Sequence, residues 1–473
     1  MPLSLDKAAL YFVFFFFIAL TFWAKDIPFF WDSTLYCQIS HYHYNNNFSS
    51  LLVPPDLDPA GSPMIYWIYI ALAWKILGKT LLISHLAVLP FLLGIAWEYY
   101  KLAKKFLSPI FTAIAMALLI VEPTFISQSI FLGYDIPKAY LFLFALNALL
   151  ERKSILFSLA ICLLSLSSMR GMFLASSIFL IHLYLFRINK WKNIWKELSV
   201  YLPAVFSVCA WMAYHYYYTG WLLFLSNGYY ADDRMIVSFG QMFRQFIYIL
   251  WEMIDFGRAF LWTCVGVGIS YFILKKIKLS KHLKFLLFLI STPWLVSIIT
   301  LCPFSIPVGH KYFIVLFLLS HLLFLYIIHR LSSNKKYIII IFSAAILSLI
   351  TGNFWIYAGG FSNGWDSSLK SIPYFKLKNE MIGFVEEKKI NPIEIGTKFP
   401  IYYNIKISDL GERDFEFSNM KNNSVKEYNY VLLSNISNQF TLAEKETLNN
   451  EWELIKECEL GQVYLKLFKN PDK

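Results

Sequence analysis

The chain is short of charge: of 473 residues only 15% are Asp, Glu, Lys or Arg, against about a quarter in soluble domains. With 58% hydrophobic residues, 19% aromatic ones and a mean hydropathy of +0.52, that deficit excludes a soluble cytosolic enzyme. The apolar residues come in repeated runs long enough to cross a hydrocarbon core of roughly 30 Å, so the chain reads as a polytopic membrane protein. Cysteine is scarce as well. Cys37, Cys162, Cys209, Cys264, Cys302 and Cys458 show no CxxC or CxxH spacing, and three of them lie inside apolar runs, so neither a zinc site nor a disulfide framework is expected. Glycine-rich phosphate loops, internal repeats and low-complexity tracts are missing too. The net charge is +11, but Lys and Arg sit in short clusters between apolar runs rather than in one basic stripe. The charge therefore reports topology, and nucleic acid is not expected as a partner.

Eleven runs are candidate spans: 8–24, 81–100, 110–121, 136–150, 154–168, 171–186, 198–216, 257–274, 285–301, 312–328 and 337–351. The first follows Lys7 and is succeeded by Lys25 and Asp26 rather than by a small-residue cleavage site, so it reads as an uncleaved span. Basic clusters fall in every second loop: Lys101, Lys104 and Lys105; Arg152 and Lys153; Arg187 to Lys196; Lys275 to Lys284; and Arg330, Lys335 and Lys336. The loops between them carry Asp32 and Asp58, then Asp135, then Asp232, Asp233 and Asp255. With a cytoplasmic N-terminus, these acids face the extracytoplasmic side. This topology requires the apolar segment 64–77, interrupted by Lys75, to lie along the outer interface.

The membrane part is thus expected over 1–355, with a first outer loop at 25–80. From about Asp366 the composition turns soluble. Segments 393–398, 428–433 and 462–468 read as strands, and 379–389 and 441–455 as helices. The tail, 366–473, is expected to be a small extracytoplasmic α/β domain.

The chemistry is concentrated in the first outer loop. Phe29-Phe30-Trp31-Asp32-Ser33-Thr34-Leu35-Tyr36 places one carboxylate among aromatic rings just beyond the first span, a setting suited to a general base and equally to a solvated acid beside interfacial Trp anchors. After a gap come Asp58-Pro59-Ala60-Gly61-Ser62-Pro63-Met64-Ile65-Tyr66-Trp67 and then Leu77-Gly78. Here the chain resembles the GT-C superfamily of membrane glycosyltransferases, in particular the protein-mannosyltransferase-like and aminoarabinose-transferase-like branch that uses polyprenyl-phosphate sugars. Asp32, Tyr36, Pro63, Tyr66, Trp67 and Gly78 carry the match, whereas the family's His-Pro-Pro is Gly61-Ser62-Pro63 in this chain. Asp135, within Gly133-Tyr134-Asp135-Ile136-Pro137, stands where the family carries a second acidic residue, and the same residue suits a helix N-cap. Met169-Arg170-Gly171 and His310-Lys311-Tyr312 extend the resemblance over the membrane part.

The resemblance implies an inverting glycosyltransferase that moves a sugar from a polyprenyl-phosphate carrier to an extracytoplasmic acceptor. Asp32 is the expected base and Asp135 the second catalytic carboxylate. Arg170, Arg258 and Lys311 are expected to meet the departing phosphate, and each is also explained as a snorkelling interfacial cation. An ion pair within Asp255-Phe256-Gly257-Arg258 is a further reading of Arg258. Tyr36, Asp58, Tyr66 and Trp67 are the expected acceptor and sugar contacts. No cofactor is expected, and a divalent metal at Asp32, His41 and His43 or at Asp232-Asp233 is not expected either. The expected partners are the lipid-linked donor, membrane lipids and an unidentified acceptor, and the Lys- and Asn-rich loops point to a bacterial plasma membrane. The rival reading is a transporter or lipid flippase, which places ionisable groups at mid-membrane and shows internal repeats.

Overall fold

The computed structural model describes residues 4–189, 194–222, 234–331, 334–357, 362–420 and 423–473. The membrane part is all helical: α1 (Leu5–Trp23), α2 (Asp32–Asn45), α3 (Ile65–Leu77), α4 (Leu81–Phe106), α5 (Pro109–Val121), α6 (Pro123–Ile130), α7 (Asp135–Leu150) and α8 (Ser154–Ser167) come first. They are followed by α9 (Met169–Asn189), α10 (Ile194–Leu198), α11 (Leu202–Thr219), α12 (Phe239–Ile254), α13 (Arg258–Leu274), α14 (Lys281–Leu301), α15 (Ile314–Leu331) and α16 (Lys335–Gly352). All eleven predicted spans are helices. Seven helical segments among the described residues are long and apolar enough to cross a bilayer, or up to nine if the bent pairs α5–α6 and α12–α13 each count as one. The two predicted spans outside this length-based count are α7 and α8. With 16 and 14 residues, they span roughly 24 and 21 Å, short of the hydrocarbon thickness.

The sequence explains how these helices pack. On α1, Leu10, Val13, Phe17 and Thr21 recur at helical spacing and are buried against α4 and α5, whereas Phe12, Phe15 and Phe22 are exposed as a lipid-facing stripe. Helix α15 is apolar over most of its surface, broken by Ser320 and His321, and every side chain from Ile314 to Ile328 is buried. It is the axis against which α5, α7, α13 and α14 pack. Pro123 lacks an N–H and restricts the residue before it, so α5 stops and the chain turns by 54° into α6. The 93° turn between α12 and α13 is made at Gly257, whose φ of +85° and approach to the Ser348 carbonyl leave no room for a side chain.

The two ends of the bundle differ in charge as the loop pattern predicts. Asp6 accepts from the Tyr100 hydroxyl at 2.8 Å and pairs with Lys104, while Lys101 and Lys153 both reach Glu151. This gathers the N-terminus and the first two basic clusters at one end. Asp32, Asp135, Asp255 and Asp366 lie at the other.

In the tail, α17 (Pro373–Glu387), α18 (Ile405–Ser408) and α19 (Leu442–Glu451) accompany a five-stranded sheet, β1 (Ile395–Thr397), β2 (Ser418–Asn419), β3 (Tyr430–Ser434), β4 (Glu453–Leu460) and β5 (Val463–Lys469). The strand order is β2-β1-β3-β5-β4, with β1 parallel to β2 and β3 and β5 antiparallel to β3 and β4. The expected helix 441–455 stops at Glu451. Beyond it, Glu453–Leu460 is an edge strand whose charges face water and whose pairing partner arrives only through the turn at Gly461. The tail sits on the first outer loop: Ser408 O accepts the Phe29 N–H at 3.1 Å, and Ile407 O accepts from His41 at 3.1 Å.

Candidate functional site

A cavity of about 800 Å³ opens where the acidic end of the bundle meets the tail. Its walls are the start of α2, the turn before α3, the α8–α9 break, the 3-10 turn His310–Phe313 leading into α15, and tail segments near Asp366, Phe399 and Gln439. Asp32 is the first residue of α2. Trp31 before it has a φ of +57°, and the buried rings of Phe29 and Phe30 anchor the approach, so the carboxylate is delivered at a sharp corner. One turn on, the Tyr36 ring stacks on Trp67 of α3 at 5.9 Å, and both line the cavity. Helix α2 lies inside what the sequence reads as a loop. Its polar composition lacks a simple apolar period, and tertiary contacts with α3 and α18 hold it.

Five charged groups gather around Asp32. The Lys311 ammonium donates to Asp32 Oδ2 and to Asp366 Oδ2, both at 2.6 Å. Directly behind, Asp135 Oδ1 lies 2.6 Å from Lys138 Nζ and 3.3 Å from Arg170 Nη1. The Arg170 guanidinium is stacked on Tyr312 at 3.6 Å. Asp135 therefore does not cap α7. Tyr134 is the N-cap residue, and the Asp135 carboxylate is used in an ion pair with the next turn of its own helix.

Of the residues singled out from sequence, Asp32, Tyr36, Trp67, Arg170 and Lys311 line the cavity, and Asp135 stands behind it. Three do not reach it. Asp58 is buried, accepts the Gly61 N–H at 2.6 Å and pairs with His215 Nε2 at 2.8 Å, so its role is to hold the 54–63 loop against α11. Tyr66 is buried behind Trp67, 4.9 Å between ring centres, because successive helical residues point away from one another. Arg258 is completely buried and donates to Glu122 Oε1 and Thr124 Oγ1, each at 2.5 Å. Nor does Arg258 pair with the Asp255 side chain: it meets the Asp255 backbone carbonyl at 3.1 Å, while the Asp255 carboxylate accepts from His310 at 2.7 Å and from Tyr357.

His41 and His43 also point away from Asp32. Burial draws His41 down to about 4, against the effect of its contact with Ile407 O, so the ring is neutral and Nε2–H donates to that carbonyl. His43 stacks on Phe48. Among the described residues no group of three or more His, Cys, Asp or Glu side chains is arranged to hold a metal. Asp232 and Asp233 lie outside the described residues.

Two lining residues were missed. Arg234 follows Asp232 and Asp233 in an outer loop, and nothing else in the sequence signals its place at the cavity wall. Asp366 marks a composition change in the sequence, and nothing there indicates that it returns to Lys311.

No protein-family model and no curated protein matches the chain. Among solved structures, it is similar to the crystal structure of ArnT from Cupriavidus metallidurans bound to undecaprenyl phosphate, with 10% identity, a TM-score of 0.54, and coverage of 95% of this chain and 96% of that one. The same protein in the apo state matches with 11% identity and a TM-score of 0.51 over the same shares. At such identity the likeness is one of fold, and it extends through membrane part and tail alike: this chain has the fold of ArnT.

Proposed function

We propose that the chain is an integral membrane glycosyltransferase that takes a sugar from a polyprenyl-phosphate carrier and passes it to an extracytoplasmic acceptor in the cavity beside Asp32. The observation that carries this reading is Asp32 itself. It is the one acid of the cluster with substantial exposure, 29% for its side chain, and it faces an open cavity that also presents Arg170 and Arg234, in a fold shared with a protein that binds undecaprenyl phosphate.

In the proposed step, an acceptor hydroxyl attacks the anomeric carbon from the face opposite the phosphate. Asp32 takes the hydroxyl proton, the bond from anomeric carbon to phosphate oxygen breaks, and the phosphate leaves with the electron pair. Configuration inverts. Arg170 and Arg234 offset the charge that grows on the phosphate, and the Tyr36–Trp67 stack supplies an aromatic floor for a sugar ring. Asp135 holds Arg170 and Lys138 in place.

The test is transfer of radiolabelled sugar from synthetic polyprenyl-phosphate sugars by membranes matched for expression. Wild type transfers, and Asp32→Asn loses on the order of 100-fold or more; full activity in Asp32→Asn removes Asp32 as the base. One observation favours a carrier instead: Glu122, Arg258 and His321 form a buried ionisable group between α6, α13 and α15. It does not line the cavity, however. Movement of a lipid-linked sugar across vesicles without transfer would support that second reading.

A further inference from the structure

We infer that Asp366, on the segment that joins the membrane part to the tail, is a positioning residue that acts on Asp32 through Lys311. The consequence for rate rests on the transferase reading above; the charge arrangement does not.

Lys311 is almost fully buried, with 6% of its side chain exposed, and its ammonium is bracketed by two carboxylates at equal distance, the more exposed Asp32 at 29% and the more buried Asp366 at 9%. A single ammonium at 2.6 Å would hold one carboxylate firmly in its anionic form and weaken it as a base. Sharing changes this. The second carboxylate takes part of the ammonium's donors and field, and adds negative charge that favours proton uptake by Asp32.

Asp366 is built to stay where it is. Its backbone carbonyl accepts from Ser127 Oγ at 3.1 Å and Gln128 Nε2 at 2.8 Å, and its Oδ1 accepts from Ser367 Oγ at 3.1 Å. Two residues earlier, Gly364 has a φ of +54° and passes so near His310 that an added Cβ would lie 2.9 Å from Nδ1. His310 is itself held by Asp255, so the joining segment is fitted against the same turn that carries Lys311. The other charged and titratable groups around the pair are Asp135, Lys138, Arg170, His310, Tyr36 and Tyr312, with Glu252 and Lys370 on the Asp366 side. Asp135 pairs with Lys138 and Arg170, and the carboxylates in hydrogen-bond contact with the Lys311 ammonium are Asp32 and Asp366.

Asp366→Asn keeps the shape and the backbone contacts and removes the charge. Two readouts apply to the full-length protein in detergent. The first is modification of Asp32 by a water-soluble carbodiimide, which consumes the protonated carboxyl and is followed peptide by peptide by mass spectrometry. Its midpoint falls by about one pH unit in Asp366→Asn and returns in Asp366→Glu. The second is transfer, in which kcat drops about tenfold while KM for the lipid donor stays within about twofold, and the acid limb of the profile moves the same way. An unchanged midpoint overturns the inference, as does a rise in donor KM with an unmoved profile, which would make Lys311 a donor ligand that Asp366 merely supports. If wild type transfers nothing while the midpoint still moves, the bracket stands and the transferase reading falls. Transfer with an unmoved midpoint gives the reverse.

Discussion

Asp135 and Lys138 are one turn apart on α7, both almost wholly buried, at 2.6 Å. Such a pair costs most when one member is removed, because the survivor is left charged in a low-dielectric setting. Lys138→Met is therefore expected to destabilise the purified protein by about 3–5 kcal/mol, and Asp135→Asn in the same chain to restore most of the loss. Thermal unfolding followed by intrinsic fluorescence checks both; a single variant that melts with wild type would mean that the pair carries no such strain. Sequence revealed Asp32, Tyr36 and Trp67 because their order survives in a short motif next to the first span. It did not reveal Lys138 or Asp366. A cation inside an apolar run looks like a topological nuisance, and the partner that defines Asp366 is distant in sequence.

The 54–63 loop shows how an element with no regular structure is made to hold its place. Asp58 is clasped by His215, the Gly61 carbonyl accepts from Trp211 Nε1 at 3.0 Å, and Ser62 Oγ accepts the Met169 N–H at 2.9 Å. Ser62 thus ties the loop to the α8–α9 break that carries Arg170. Gly61 has a φ of +73°, and an added Cβ would lie 2.3 Å from the Leu222 carbonyl. Gly61→Ala is expected to cost about 1–3 kcal/mol and to lower transfer by loosening the wall under Arg170; unchanged melting and unchanged transfer would refute this. Sequence analysis placed Asp58 among the sugar contacts because it saw a polar residue near the family motif, and His215 lay hidden in an apolar run on α11.

Lys370, in the short turn Leu369–Ser371, offers a test by pH. Burial against Phe256 and Trp365 draws its ammonium down to about 8 from 10.5, despite the pull of Asp255 and Asp366. The folded value is depressed, so between about 8 and 10.5 the unfolded chain holds a proton that the folded chain has released, and folding stability rises with pH across that window. Wild type should gain on Lys370→Met between pH 8 and pH 10 in thermal midpoint. Parallel curves would show that Lys370 titrates normally.

At the scale of the molecule, alternation of basic and acidic loops was enough to sort the ends of the bundle, because each cluster is local in sequence. Span number was less legible. Short helices such as α7 and α8 pack against α4 and α9, and α7 joins the acidic end at Asp135 to the basic end at Glu151 in only 16 residues. Orientation remains open to a direct check: in a background without native cysteines, cysteine at Lys281 should label only in inverted vesicles and cysteine at Asn438 only in right-side-out ones. Labelling of both from one side would undo the topology.

The buried axis of the bundle has a metric consequence. The segment from His310 to Leu331 holds 22 residues, roughly 33 Å of helix, against a hydrocarbon core of roughly 30 Å. Lys311 stands at one end of that rod, buried against Asp32 and Asp366, and the exposed Arg330 stands at the other. The reach of Lys311 to Asp32 on α2 and to Asp366 is then set by the length of one helix, and a turn inserted in α15 is expected to carry Lys311 out of register with both carboxylates.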